Sequence, residues 1–162
     1  MRTVADRDGD IWIYGDEAAL NALAAGFDGV AEGLGAVYLP RQGSEGKDLL
    51  IFRGAVMPLR LRDYERLRNW VRNAPKGEQV TWEAKPEVPE DWKDGEWKWD
   101  DQATFQVKGR CAFISGSPLG LRYCALGALR IEGWQGGHTH IFWCATSKSV
   151  ELTIAYADYP GP

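Results

Sequence analysis

Two histidines separated by a single residue form the clearest metal-ligand pattern in the chain. His138 and His140 are the only histidines. The alternation of apolar residues around them predicts a strand, on which residues two apart share one face. Cys144 continues that face, and imidazole and thiolate are common zinc ligands, so the three residues form a candidate metal site. Histidines exposed at the start of a strand explain the same pattern without a metal, and we favour that interpretation.

A second group, dispersed along the chain, carries residue types suited to dinucleotide chemistry. Arg53 ends an apolar run, Ser115 opens a Ser-x-Ser motif, and Glu151 lies near the C-terminus. Their order resembles the Arg, Ser-x-Ser, Glu signature of mono-ADP-ribosyltransferases. The resemblance implies that Arg53 and Ser115 bind NAD and that Glu151 is catalytic, stabilising the positive charge that develops as nicotinamide leaves. The chain departs from the signature at Gly116, where the family usually has threonine, and at Ser149, where arginine-modifying members carry a second acid.

The least ordinary composition lies between residues 78 and 101, which we name the acidic tryptophan segment. It contains nine acidic residues and three lysines, a net charge of −6, while the whole chain carries −4. Four of the eight tryptophans lie in it. Tryptophan buries a large rigid surface and keeps an N–H to donate, and surrounding acids steer a basic partner. The residues expected to contact that partner are Trp92, Asp94, Glu96, Trp97, Trp99 and Asp100. The alternative is that these tryptophans only cover the sheet.

Two stretches at opposite ends of the chain resemble small bacterial immunity proteins, which neutralise a cognate toxin. Residues 12–20 read Trp-Ile-Tyr-Gly-Asp-Glu-Ala-Ala-Leu and lead into a helix and a hairpin. Residues 138–140 and 149–152 would form a closing hairpin similar to one in the same group. The resemblance implies a non-enzymatic binding protein with no cofactor, whose partner is a basic protein such as a toxin.

Composition excludes several other classes of protein. No apolar run approaches the length that a bilayer requires, and the first residues lack the apolar core of a signal peptide. The mild acidic charge gives no basic surface for nucleic acid. The three cysteines are odd in number and lie in apolar contexts, which favours free thiols in a reducing compartment. We therefore expect a cytoplasmic protein that binds neither membrane nor nucleic acid.

Hydrophobic periodicity predicts one α+β domain over residues 1–162. A β-hairpin, a helix that begins after Asp16 and a second hairpin fill residues 1–56, and a second helix follows over residues 58–75. Beyond the acidic tryptophan segment, alternation over residues 103–157 predicts a four-stranded antiparallel meander, with the two helices packed on one face of the sheet. The second meander strand would contain Tyr123, Ala125, Leu129 and Ile131. The predicted core consists of Leu23, Phe27, Leu67, Val71, Val107, Phe113, Leu152 and Ile154.

The cysteine interpretation gives a direct prediction. Titration of the denatured chain with a thiol reagent, without reductant, should find three free thiols, because no pair of cysteines is expected to be oxidised. A titre of one thiol would contradict both the free-thiol interpretation and the expected reducing compartment.

Overall fold

The computed structural model describes residues 1–54, 61–73, 82–87, 102–131, 137–141, 145 and 149–160. These ranges contain three helices and eight strands. The elements are β1 (Arg2–Ala5), β2 (Ile11–Gly15), α1 (Glu17–Ala31), β3 (Ala36–Leu39), β4 (Asp48–Arg53), α2 (Leu61–Asn73), β5 (Ala103–Lys108), β6 (Cys111–Gly116), α3 (Pro118–Arg130), β7 (His138–Ile141) and β8 (Leu152–Tyr156). None of the helices in these ranges is both long and apolar enough to cross a membrane.

The strands form two four-stranded mixed sheets. Sheet A has the order β1-β2-β8-β7, and sheet B has the order β3-β4-β6-β5. The outer pairs of each sheet are antiparallel hairpin partners, whereas the central pairs β2–β8 and β4–β6 are parallel. The α+β class is therefore confirmed, but the purely antiparallel single sheet is wrong. The parallel pairs join strands that are distant in sequence, so no local turn signal predicts them.

The chain consists of two topologically equivalent halves. Each half runs hairpin, helix, hairpin: β1-β2-α1-β3-β4 in the first and β5-β6-α3-β7-β8 in the second. Each sheet takes one hairpin from each half. The counterparts of β1, β2, β8 and β7 are β5, β6, β4 and β3, which is the strand order of sheet B read from its other edge. The two halves are thus intertwined, and neither completes a sheet by itself.

The sequence around the strand–helix junctions also repeats. Residues 101 positions apart are identical at Ile13 and Ile114, Gly15 and Gly116, Leu20 and Leu121, Ala24 and Ala125, and Gly26 and Gly127. The helices that follow begin with equivalent caps, where Asp16 accepts from the N–H of Ala19 and Ser117 accepts from that of Gly120. These side chains satisfy N–H groups that have no partner within the helix.

Equivalent hydrogen bonds also join the two sheets. The N–H of Lys47, just before β4, donates to the carbonyl of Thr3 in β1 at 2.7 Å. In the other half, the N–H of Val150, just before β8, donates to the carbonyl of Phe105 in β5 at 3.1 Å. The two sheets, α1 and α3 share one apolar core. Its buried members include Ile13, Leu23, Phe27, Ile51, Phe105, Ile114, Leu121 and Ile154.

The apolar period of α1 runs to Leu34 in the sequence, which suggests Gly35 as the glycine that ends the helix. The helix ends two residues earlier than that. Gly33, not Gly35, supplies the left-handed residue that stops the helix, with φ +94°. The N–H groups of Gly33 and Leu34 bond back to Val30 and Gly29, both at 3.0 Å, which is a Schellman ending. Leu34 belongs to the apolar stripe in sequence but is exposed, because the chain has already left the helix.

The predicted second strand of the meander is helix α3. Ser117 and Pro118 are a strong helix start, with the capping hydroxyl followed by proline in the first turn. Leu121, Cys124 and Ala128 form the buried stripe with helical spacing. The same stretch also permits period-two alternation through Tyr123, and in a short apolar run the two periods compete. The meander and the two-helix arrangement are therefore wrong in this part of the chain.

The predicted core is largely confirmed. Leu23, Phe27, Phe113, Leu152 and Ile154 are buried. Val107 and Leu67 are partly buried, Val107 against the main core and Leu67 against a smaller cluster on sheet B. The side chain of Val71 lies outside what the structure describes.

Close packing at α3 gives a stability prediction. A Cβ at Gly120 would lie 2.8 Å from the backbone carbonyl carbon of Gln102, so Gly120→Ala must displace the chain at the start of β5. We expect a loss of about 1–3 kcal/mol in the free energy of unfolding, the usual cost of overpacking, measured by urea titration.

Gly26→Ala is the matched control, because it makes the same change inside α1. The nearest atom to its Cβ would be a methyl of Val37 at 3.5 Å, an ordinary contact. Replacement of a helical glycine should stabilise the protein here by roughly 0.5–1 kcal/mol. Equal effects of the two substitutions would contradict the close approach at Gly120.

Candidate functional site

The structure describes only the first part of the acidic tryptophan segment, residues 82–87. The expected contact residues Trp92, Asp94, Glu96, Trp97, Trp99 and Asp100 all lie outside the described ranges. The described part packs against the C-terminal half of α1, where Trp82 covers Gly29. This is the point at which the segment meets the repeated fold.

A buried carboxylate on α1 holds this part of the segment in place. Asp28 is only 3% exposed. One of its oxygens accepts from the indole N–H of Trp82 and from the backbone N–H of Lys85, both at 3.0 Å. A carboxylate near a helix C-terminus is disfavoured by the helix dipole and by burial, and these two donors compensate for both costs.

A cleft lies between α1, the start of α3 and residues 82–87. It has a volume of about 410 Å³. Its lining contains four carboxylates, two cations and one indole: Asp28, Glu32, Glu83, Glu87, Lys85, Arg122 and Trp82. We name it the acidic cleft. Arg122 forms an ion pair with Glu32 across the two helices, and Lys85 pairs with Glu83 at 2.9 Å. The two cations therefore offset half of the negative charge.

The lining of the acidic cleft is suited to recognising a charged ligand. Carboxylates beside an indole suit a cationic ligand, because the acids attract it and the ring face adds a cation–π contact. Trp82 is 36% exposed, so part of its ring remains accessible at the rim.

The two histidines lie on the outer face of sheet A, the face turned away from the core. Their rings are 4.8 Å apart between centroids. The carboxylate of Glu151 contacts Nδ1 of His140, and both side chains are 41% exposed. The hydroxyl of Thr153 lies 3.1 Å from the same nitrogen. The structure thus joins His140 to Glu151, which the sequence analysis assigned to a different site.

Aromatic rings extend this histidine pair across the sheet. Trp12 on β2 has the rings of His138, His140 and Tyr159 within 6.3 Å of its own, between centroids. Its indole N–H donates to Asp6 at 3.3 Å. Tyr14 lies beside Trp12 under the guanidinium of Arg2, and burial raises the pKa of its phenol above the usual value. The result is an aromatic face in which Tyr14 is buried and the other rings are partly exposed, with carboxylates at its edge.

The metal hypothesis gains no third ligand from the described residues. Within the described ranges, no group of three or more histidine, cysteine, aspartate and glutamate side chains is arranged to hold a metal ion. Cys144, the third candidate ligand, lies outside those ranges. His138 and His140 lie partly exposed on the edge strand β7, and whether they bind a metal stays a prediction.

The transferase residues fall on different sheets. Arg53 is exposed at the end of β4, and Ser115 is buried on the neighbouring strand β6, where it pairs with Phe52. Glu151 precedes β8 of sheet A, and its carboxylate is engaged by His140. The structure brings Arg53 close in register to Ser115, while Glu151 joins the aromatic face. Binding of NAD at these residues stays a prediction.

Two of the three cysteines are within the described residues. Cys111 and Cys124 are buried free thiols, and Cys144 lies outside the ranges described. Burial raises the pKa of Cys111 to about 12. At neutral pH its thiol is therefore protonated, and a protonated thiol is a poor nucleophile.

Sequence reasoning missed the two residues that organise these surfaces. Asp28 stands in the apolar stripe of α1, and an acid at a core position is a signal that it has a buried partner. Trp12 alternates with the core residues Ile11 and Ile13, so it had to face outwards. The predicted hairpin of residues 138–140 and 149–152 brings His140 towards Glu151, but the contact itself depends on the strand register, which the sequence does not specify.

Comparison with known proteins finds no matching family model, no matching curated protein and no matching solved structure.

The Asp28 anchor can be tested by proteolysis. Asp28→Ala leaves the N–H groups of Trp82 and Lys85 without their acceptor. The free energy that holds residues 82–87 against α1 should fall by about 1–3 kcal/mol. Cleavage after Glu83 by a glutamate-specific protease should become several-fold faster. Asp28→Asn keeps an acceptor oxygen and should retain most of the protection. Glu32→Gln removes charge from the same cleft without touching the segment, and should leave cleavage after Glu83 unchanged. Equal cleavage in all variants would contradict the anchor.

Proposed function

We propose that this chain is a non-enzymatic binding protein of the immunity or inhibitor type, which neutralises or regulates a basic partner protein. One observation carries the proposal: Trp82, Glu83, Lys85 and Glu87 line the acidic cleft and also belong to the acidic tryptophan segment. The carboxylates and indole of the cleft are thus continuous in sequence with the strongest concentration of acids and tryptophans in the chain.

The chemistry of this surface suits a cationic protein. A nuclease toxin is one such partner, because its active site attracts phosphate and would equally attract carboxylates. Acids placed over that site would exclude the substrate and accelerate association by electrostatic steering. Tryptophan side chains would supply most of the affinity, as they do in many interfaces. A cytoplasmic location is part of the proposal.

The anchoring of residues 82–87 also supports this proposal. Asp28 holds Trp82 and the backbone of Lys85 to α1, so the beginning of the segment is fixed before any partner arrives. Fixing a binding element in advance reduces the entropy that association must overcome. Trp92, Trp97 and Trp99 follow within the same segment and are the proposed anchors.

The test is capture of the partner from the native cell, or co-expression with the neighbouring open reading frame, followed by measurement with purified proteins. Trp97→Ala should cost roughly 2 kcal/mol or more of affinity, in the range of an interface hot spot. Replacing Asp94 and Glu96 with their amides should mainly slow association and flatten its dependence on salt.

Arg62→Gln combined with Arg66→Gln is the matched control. Like the double amide variant of Asp94 and Glu96, it removes two charges, here from exposed side chains of α2. It should leave the affinity and the association rate nearly unchanged. A partner that responds to this control, but not to substitutions in the acidic tryptophan segment, would move the interface to α2 and contradict the proposal.

A further inference from the structure

A cavity lined mainly by arginines lies where α2 meets β3, the edge strand of sheet B. Helix α2 reaches this sheet through Leu67, which packs against a small cluster of apolar side chains on it. The cavity has a volume of about 330 Å³. Its described lining contains four arginines, a carboxylate, a tyrosine and a proline: Arg41, Arg68, Arg72, Arg110, Asp48, Tyr38 and Pro40. We name it the arginine cavity. It shares no described lining residue with the acidic cleft.

The arginines come from three separate parts of the chain. Arg68 and Arg72 are four residues apart on α2, so their side chains lie on one face of the helix. Arg41 follows β3, and Arg110 lies in the turn between β5 and β6. Segments so distant in sequence meet here only through the fold. A local run of basic residues therefore does not explain the cluster.

The buried carboxylate of Asp48 fixes two of these segments. Asp48 begins β4 and is only 8% exposed. Its Oδ1 accepts from the backbone N–H of Arg41 at 3.0 Å, and its own backbone N–H donates to the carbonyl of Arg110 at 2.9 Å. These bonds involve the backbones of the two arginines and not their guanidinium groups. The loops that carry Arg41 and Arg110 are thus held in place before a ligand arrives, which lowers the entropy cost of binding.

The lining of the arginine cavity does not neutralise its positive charge. One carboxylate faces four guanidinium groups, which leaves an excess of three positive charges. In the described part of the chain, none of the four arginines forms an ion pair with a carboxylate. Like charges that are held together repel one another. A bound anion would remove that repulsion.

One donor of the arginine cavity is buried and unsatisfied. Nε of Arg68 is shielded from solvent and has no hydrogen-bond partner. No other buried side-chain nitrogen or oxygen of the described residues is in this condition. An unpaired buried donor is costly, and more so when the group is charged. The side chain of Arg68 is otherwise partly exposed, so turning its guanidinium group towards an oxygen atom in the cavity would give Nε the acceptor that it lacks.

Charge and volume together indicate the class of ligand. Guanidinium groups bind the oxygens of phosphate and carboxylate groups through paired N–H donors. A phosphomonoester carries up to about two negative charges at neutral pH, so it offsets more of the excess charge than a monocarboxylate does. The volume of the cavity is at the low end of the range for small-molecule sites. It therefore suits a phosphate group with a small organic substituent.

We propose that the arginine cavity binds the phosphate group of a small phosphomonoester. Arg68 and Arg72 hold the phosphate from α2, and Arg41 and Arg110 hold it from the two loops that Asp48 fixes. The proposal goes beyond the proposed function, since it assigns a second site whose charge is opposite to that of the acidic cleft.

The probes are inorganic phosphate and glycerol phosphate, with acetate as the comparison at equal ionic strength. Heteronuclear NMR of the full chain follows the arginine Nε–H signals, and the signal that disappears in Arg68→Lys is that of Arg68. Both phosphates should shift this signal saturably, because an oxygen atom becomes the acceptor of the unpaired N–H. Acetate should bind much more weakly than either phosphate.

Variants of the full chain locate the contacts. Arg68→Gln combined with Arg72→Gln should weaken the binding of glycerol phosphate by about tenfold or more, the loss expected for charge-assisted hydrogen bonds. Arg62→Gln combined with Arg66→Gln is the matched control, because it removes two charges with the same spacing from α2, outside the described lining. It should leave the affinity nearly unchanged. Arg110→Gln alters an exposed turn residue and should weaken binding several-fold, which keeps the test decisive if the change at Arg68 loosens α2.

Three results would overturn the proposal. Acetate could bind as tightly as the phosphates, which would remove the preference for phosphate. The two double variants could weaken binding equally, which would mean that the affinity follows net charge alone. A single-stranded oligonucleotide could bind when neither phosphate does, which would make this surface one for polyanions. None of these results bears on the proposed function, because the assay involves no residue of the acidic tryptophan segment. Trp97→Ala should leave phosphate binding unchanged, so the two proposals stand or fail separately.

Discussion

The parallel pairing of β2 with β8 and of β4 with β6 is the constraint on which the rest of the structure depends. Each pair joins a hairpin of one half to a hairpin of the other. An isolated two-stranded hairpin is marginally stable at best in water, so neither half can bury the apolar face of its helix by itself. The strands and helices become stable together, when the parallel pairs between the two halves have formed. Since β2 and β8 lie at opposite ends of the chain, closure of long loops must precede this stabilisation.

Local signals in the sequence were sufficient for local structure. Asp16 and the apolar stripe of α1 predict that helix, and the Asp-Gly turn predicts the first hairpin, whose Asp6 carboxylate accepts from the N–H groups of Asp8 and Asp10. Helix α3 was missed because its short apolar run satisfies two periods at once, although Ser117 and Pro118 favour the helix. The parallel pairs were missed because strand register between distant segments leaves no trace in either segment alone.

The candidate surfaces were only partly predictable for the same reason. Composition alone identifies the acidic tryptophan segment, but the carboxylate that fixes its beginning, Asp28, lies more than fifty positions earlier in the chain. His138 and His140 were recognised as a pair from their spacing. The contact of His140 with Glu151 lies within the predicted closing hairpin of β7 and β8, whereas Trp12 approaches both histidines only because β2 pairs in parallel with β8. The repeat of identical residues 101 positions apart was the one sequence signal that could have revealed the shared architecture.

The two halves differ where they are connected and in what their outer sheet faces carry. The connection between β4 and β5 contains α2 and the acidic tryptophan segment, and nothing in the repeated elements corresponds to either. Under α2, the face of sheet B carries Phe113 and Leu50, side chains suited to permanent burial. At the equivalent positions of sheet A stand Trp12 and Thr153, and beside them His140 replaces Tyr38. Trp12 and His140 are partly exposed and Thr153 is buried, so this face of sheet A carries polar groups where sheet B carries the apolar side chains of Phe113 and Leu50. The chain thus forms the same order of elements twice, while the proposed binding surface lies in the connection between the two halves.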